Sequence, residues 1–264
     1  MNINHLLEKS IDELNDAEQR DIVAELRERL GIELARDDRS GIYARTQTDM
    51  AYNSNRIEGS TLTPDQTASL FYTGTVRASA EEVYRAKDIE EMTGHFAMFN
   101  HMLRTFKEPL SEELIKSYHY RLKAGVFEDV ANGYPIGEYK SRQNMVADID
   151  TARPDEVSER MRELIASYES RAEVALSELA AFHADFEHIH PFQDGNGRVG
   201  RMMLFKECLR QGIVPVIIRD RDKAEYYMAL NKAQKTGDTA ELCAFFRKEQ
   251  QTYLEELRKF LWIY

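Results

Sequence analysis

The sequence predicts an all-α domain carrying one small β-hairpin flap. Apolar residues recur at helical spacing along most of the chain. Glycine and proline are sparse, 13 and 6 in 264 residues, which is too little punctuation for a sandwich or barrel. Only the stretch between Asn132 and Asp150 departs from this helical texture. Hydrophobic residues at 42% and charged residues at 31% supply enough apolar surface for a core and argue against disorder.

Taken in order, Ile22, Leu26 and Leu30 repeat at i+4, and Gly31 is expected to stop that helix. A second helix is expected over about Tyr43 to Ile57, ending at Gly59. Thr63-Pro64-Asp65 is a restart, a capping hydroxyl followed by proline at the first helical position. Ser79-Ala80-Glu81-Glu82 fits a capping box that opens a helix through Ile89, Met92, Phe96 and Phe99. Ser111 caps the next, through Leu114, Ile115, Tyr118 and Leu122 to Gly125. Gly133, Pro135 and Gly137 then lead into the flap, expected over about 137–148. Helical spacing resumes after Pro154 (Val157, Met161, Leu164, Ile165, Tyr168) and again from Val174 to Phe186. Residues 1–40 read as an N-terminal helical extension and 41–264 as the main domain. Residues 1–40 and the 245–264 tail are amphipathic enough to bind a partner or a second copy, although packing within the domain is commoner.

Thirty-five Lys and Arg against 46 Asp and Glu leave a net charge of -11. No nucleic-acid partner is expected of such an acidic chain, since that binding needs a basic surface. Cys208 and Cys243 make neither a disulfide framework nor a CxxC pair. No apolar leader and no run of about 18 apolar residues is present. A soluble cytoplasmic protein is expected, with no membrane partner.

One segment carries chemistry: His190-Pro191-Phe192-Gln193-Asp194-Gly195-Asn196-Gly197-Arg198-Val199-Gly200-Arg201, set between two apolar helices. Gly195 and Gly197 permit backbone conformations closed to other residues, so that successive N–H groups can turn inward as an anion nest. A helix starting at about Arg198 adds its free N–H groups. Arg198 and Arg201, three apart on its first turn, can both reach the anion. Asp194 is a hard oxygen ligand suited to Mg²⁺ held mainly by phosphates and water. His190 can take a proton near neutral pH. Each residue alone has an ordinary structural use; all of them within twelve residues specify a polyphosphate, its metal and a base.

This stretch resembles the signature of the Fic family, His-Pro-Phe-x-Asp/Glu-Gly-Asn-Gly-Arg-x-x-Arg, with every fixed position present. The likeness runs from about Tyr43 to Phe246. It implies a mainly helical Fic fold that transfers AMP from ATP to a hydroxyl side chain (Ser, Thr or Tyr) of a target protein, releasing pyrophosphate. By that likeness His190 deprotonates the hydroxyl and Asp194 holds Mg²⁺. Gly195, Asn196 and Gly197 form the anion hole, Arg198 meets the β-phosphate and Arg201 the γ-phosphate.

Upstream, Ser54 and Glu58 lie four apart on one helical face, and Gly59 can end the helix. Spacing alone fits an ordinary helix end with a solvated Glu. These residues also match the inhibitory motif of the Fic family, Ser/Thr-x-x-x-Glu-Gly/Asn, which implies that Glu58 pairs with Arg201. A carboxylate is a bidentate mimic of two γ-phosphate oxygens, so Glu58 there would misplace the ATP phosphates.

The segment Gly137 to Val146, with Tyr139, Lys140, Met145 and Val146, resembles the Fic flap that docks the target by strand addition. Tyr226 to Gln234 resembles the Fic adenine-pocket helix; Tyr227 and Leu230 suit stacking on the base, and Gln234 can read its edge. His183 and His188 are five apart and supply no metal pair, so core or surface roles are expected.

A protein adenylyltransferase using ATP and Mg²⁺, autoinhibited by Glu58, is therefore expected. Its rivals are removal of AMP at the same site, transfer of another nucleotide group, and a catalytically silent nucleotide-sensing module.

Overall fold

A computed structural model describes residues 3–76, 83–146 and 149–262. Twelve α-helices are found among these residues. They are α1 (Asn4–Leu7), α2 (Asp16–Ala35), α3 (Ile42–Ile57), α4 (Pro64–Thr73), α5 (Ala86–Thr105) and α6 (Glu112–Lys123). Then come α7 (Phe127–Ala131), α8 (Val157–Glu169), α9 (Leu176–Ile189), α10 (Asn196–Gln211), α11 (Lys223–Thr236) and α12 (Ala240–Leu261). No helix among the described residues is long and apolar enough to cross a membrane.

Local chemistry sets the helix starts. Thr63 accepts the N–H of Gln66 at 3.2 Å with Pro64 in the first turn, and Ser111 accepts that of Leu114 at 3.1 Å. The box at Ser79–Glu82 lies outside the described residues, and α5 opens later, at Ala86. Gly31 does not stop α2, which runs on to Ala35. The extra turn places buried Glu33 where its carboxylate accepts the N–H of Tyr43 at 2.8 Å, tying α2 to the start of α3. Stopping at Gly31 would forfeit that bond.

α10 runs through the middle, packed against α9, α6, α5, α3 and α2, and almost every residue from Arg198 to Leu209 is buried. Such a helix must pair its own charges internally: Lys206 bonds Glu207 at 2.6 Å, and Tyr168 donates to the same carboxylate at 2.8 Å. Leu6, Leu7, Ile22, Leu26 and Leu30 share one buried cluster with Phe205, Leu209, Tyr253 and Leu257, so residues 3–35 pack onto the same core.

The fold is all-α, and the expected β-hairpin flap over 137–148 is not formed. Residues 137–144 contain no strand. The only pairing among the described residues is a ladder of two-residue strands, Met145–Val146 against Ile149–Asp150, too short for a docking arm. Residues 147 and 148 lie outside the described residues. The segment spends its polar groups on the loop beside it instead of on a partner strand. Lys140 N–H donates to Pro191 O at 2.8 Å, Arg142 N–H to Gln193 Oε1 at 3.2 Å and Asn144 Nδ2 to Phe192 O at 2.9 Å.

Candidate active site

α9 ends on His190, whose backbone is left-handed at φ 52 while its N–H still reaches Phe186 O at 2.9 Å. That conformation is uncommon outside glycine and marks a position held by its surroundings. Nδ1 lies 3.2 Å from the Glu187 carbonyl, which can only accept, so the proton sits on Nδ1 and Nε2 is free. Burial pushes the imidazole down to about 4, helped by Lys140 and opposed by Glu58 and Asp194. At neutral pH it is an unprotonated base.

The following loop is fastened by Asn196, whose side chain accepts from Phe192 N–H at 2.7 Å and donates to Phe192 O at 2.8 Å. Gly195 adopts φ 85, as expected. Gly197 does not; it is already helical, since α10 starts at Asn196, and its requirement is space. A Cβ there would run into the Glu58 carboxylate and the Arg201 guanidinium.

Arg201 is buried and held by the end of α3. Its Nη2 donates to Glu58 Oε1 at 2.7 Å and to Ser54 O at 3.0 Å, and its Nε donates to Ser54 Oγ at 2.9 Å. Gly59, at φ 89, turns the chain away just after Glu58. Arg198 differs from expectation. It is 2% exposed, pairs with Glu91 at 2.6 Å and does not border the cleft. Successive helical residues rotate by about 100°, so two arginines three apart still diverge enough for one to face the cleft and the other α5.

A cleft of about 470 Å³ joins these parts: His190, Asp194 and Gly195 to Gly197 on one side, Arg201 with Glu58 and Glu187 at the back, and Tyr226, Tyr227, Leu230, Asn231 and Gln234 from α11. Residues 109–208 match the model of the Fic/DOC family. This stretch of the chain is similar to a Fic/DOC domain.

Protein adenylyltransferase Fic of Nematostella vectensis is 27% identical over 187 residues, covering 69% of this chain and 42% of its own. Protein adenylyltransferase fic-1 of Caenorhabditis elegans is 26% identical over 210 residues, covering 77% and 40%. The chain thus spans about two fifths of the length of the curated relatives it matches. The crystal structure of a Fic domain-containing signaling protein from Bacteroides thetaiotaomicron superposes with a TM-score of 0.72 at 25% identity, covering 81% of this chain and 87% of that one.

Other expected site residues stand apart from the cleft. Tyr139 packs at 5.9 Å on Phe192, with the Lys116 ammonium 4.4 Å from its ring centre. Lys140 is buried against Asn144 (2.6 Å) and Thr151 (3.1 Å), and burial pushes its ammonium down to about 8. Met145 and Val146 form the first short strand. His183 is buried and bonded to Tyr226 OH at 2.7 Å, a core role as expected.

Three participants were not expected. Lys123, 1% exposed, places its ammonium 2.5 Å from Glu91, 2.6 Å from Asp129 and 2.8 Å from Asp194. It fills the centre of the one acid cluster among the described residues that could otherwise hold a metal. Of the three carboxylates in that cluster, only Asp194 borders the cleft. Burial alone would raise Asp194; Arg198, Lys123 and Lys87 outweigh it and hold the carboxyl below the usual carboxylate range.

His119 stacks on Phe192 at 4.0 Å, accepts Gly137 N–H at 2.9 Å on Nδ1, and so donates from Nε2 to Asp194 O at 3.0 Å. It ties the start of the 137–144 segment to the glycine loop.

Glu187 is the third. Burial pushes its carboxyl up to about 8, with Arg201 opposing and Glu58 adding. Between pH 7 and 8 the folded state keeps a proton that the unfolded chain has released, so stability falls as pH rises through that window. Wild-type Tm should therefore decline more steeply from pH 7 to 8 than that of Glu187→Gln. Equal slopes would mean that Glu187 is ionised.

Proposed function

We propose that this chain is a protein adenylyltransferase that moves AMP from ATP to a hydroxyl of a target protein and is restrained by its own Glu58. One observation carries the reading: an imidazole with a free Nε2 borders the same cleft as a glycine-bearing helix N-terminus and an arginine already holding a phosphate-like carboxylate. The names of the Nematostella and Caenorhabditis relatives support it for the matched region.

In this reading the target hydroxyl oxygen forms a bond to the α-phosphorus of ATP, and the bond to the β-bridging oxygen breaks. The hydroxyl proton passes to His190 Nε2, and pyrophosphate leaves. The N–H groups of the Gly195–Gly197 turn stabilise the phosphate charge in place of water. Arg201, once released by Glu58, holds the γ-phosphate. Asp194 is the residue that would hold Mg²⁺, which would supply positive charge to the phosphates. Arg198 keeps Glu91 and braces Asp194 at 3.4 Å; contact with the β-phosphate would require it to leave that pair. Tyr227 and Leu230 flank the adenine, with Gln234 at its edge.

Wild type, Glu58→Gly and His190→Ala incubated with α-labelled ATP and a cell lysate test the proposal. Label should enter protein with Glu58→Gly and disappear with His190→Ala. Nucleotide binding with no covalent label from any variant would favour a sensor. Release of AMP from a premodified bait by wild type alone would favour the reverse reaction.

A further inference from the structure

We propose that Glu187 reads the sugar of the bound nucleotide, its carboxyl group taking a ribose hydroxyl. This rests on the nucleotide reading above and adds a substrate class to it, ribonucleotides in preference to deoxyribonucleotides.

The cleft has two chemically different ends. The glycine loop and Arg201 on α10 suit phosphates, whereas Tyr227 and Leu230 on α11 offer flat apolar surface to a base. In any nucleotide the sugar lies between the two. α9 packs against both α10 and α11, and Glu187 sits on its last turn. On the α10 side its carboxyl presses on Gly200, where a Cβ would collide with it. One turn earlier on the same helix, His183 bonds Tyr226 of α11 at 2.7 Å. Glu187 thus occupies the wedge between the phosphate helix and the base helix and borders the cleft.

Its chemistry is unresolved within the protein. Glu187 is only 7% exposed, and Oε1, the oxygen packed on Gly200, has no hydrogen-bond partner. A buried polar oxygen without a partner is costly, and turning the carboxyl from Gly200 toward the cleft would let a ligand hydroxyl satisfy it. As a neutral acid the carboxyl both donates and accepts, matching a sugar hydroxyl, which does the same. Nothing else derived for the site uses this side chain; only its backbone carbonyl serves His190.

The test is calorimetric titration of Glu58→Gly, in which Arg201 has lost its carboxylate partner, with ATP, 2′-deoxyATP and 3′-deoxyATP in the presence of Mg²⁺. ATP should bind about tenfold or more tightly than at least one deoxy analogue, the loss expected when a buried partner is left unpaired. Glu187→Leu and Glu187→Ala in that background should bind all three alike. Two variants of different size guard against one failing to fold. A Glu58→Gly protein that binds ATP and both analogues equally sinks this inference alone, as does an undiminished preference in either Glu187 variant. No ATP binding at all would sink the nucleotide reading and this inference with it.

Discussion

Glu58→Gly is expected to incorporate AMP about ten- to a hundredfold faster than wild type. Glu58 accepts a 2.7 Å charge-assisted bond from buried Arg201, which also donates two bonds to Ser54. A hydrogen bond to a charged group contributes about 1.5–3 kcal/mol. Freeing Arg201 for a γ-phosphate must overcome that, and each 1.4 kcal/mol or so is a factor of ten. The substitution is structurally mild: Glu58 is the C-cap of α3, its side chain 31% exposed. Rates compared at saturating ATP and a fixed bait decide it. Equal rates would leave the contact as a helix-end ion pair without a regulatory role.

The second large effect concerns the base. His190→Ala should lower AMP transfer by about 10²–10⁴-fold, the usual contribution of a positioned general base. ATP affinity should change little, because the lost group acts on the incoming hydroxyl. Alanine at φ 52 also carries backbone strain. His190→Asn separates the two effects, since Asn tolerates that conformation yet is no base near neutral pH. If His190→Asn transferred AMP at the rate of the His190 protein, proton removal by this imidazole would be excluded. The pH profile offers a further check on the same group. Its depressed pKa of about 4 places the loss of activity on the acid side well below neutrality.

Much of this arrangement was legible because it is local. Thr63-Pro64 and Ser111 announce their helices through bonds that span three residues. His190 to Arg201 lie next to one another in the chain, so residue type and order expose their chemistry. Glu58 and Arg201 are 143 residues apart, and only the family likeness joined them. Lys123 and His119 reach Asp194 across 71 and 75 residues. No periodicity records such a pairing, and in the sequence they are ordinary polar positions of an amphipathic helix. Glu187 carried a weak signal, four residues after His183 and three before His190 on one helix. The flap failed for a different reason. Turn residues signalled a change of direction at Gly133 to Gly137, but a hairpin also needs a free partner strand. Here the neighbouring loop takes up the hydrogen bonds first.

The helix that bears Glu58 is built into the body of the molecule. Ile42, Tyr43, Ala44, Met50, Ala51 and Ile57 are all buried, and α3 packs against α2, α4 and α5. Peeling it off would strip away much of the hydrophobic interior, so detaching α3 to free Arg201 would cost the fold itself. An activator need only crowd or grip the final turn, where a single side-chain rotation uncouples the acid and leaves the scaffold standing.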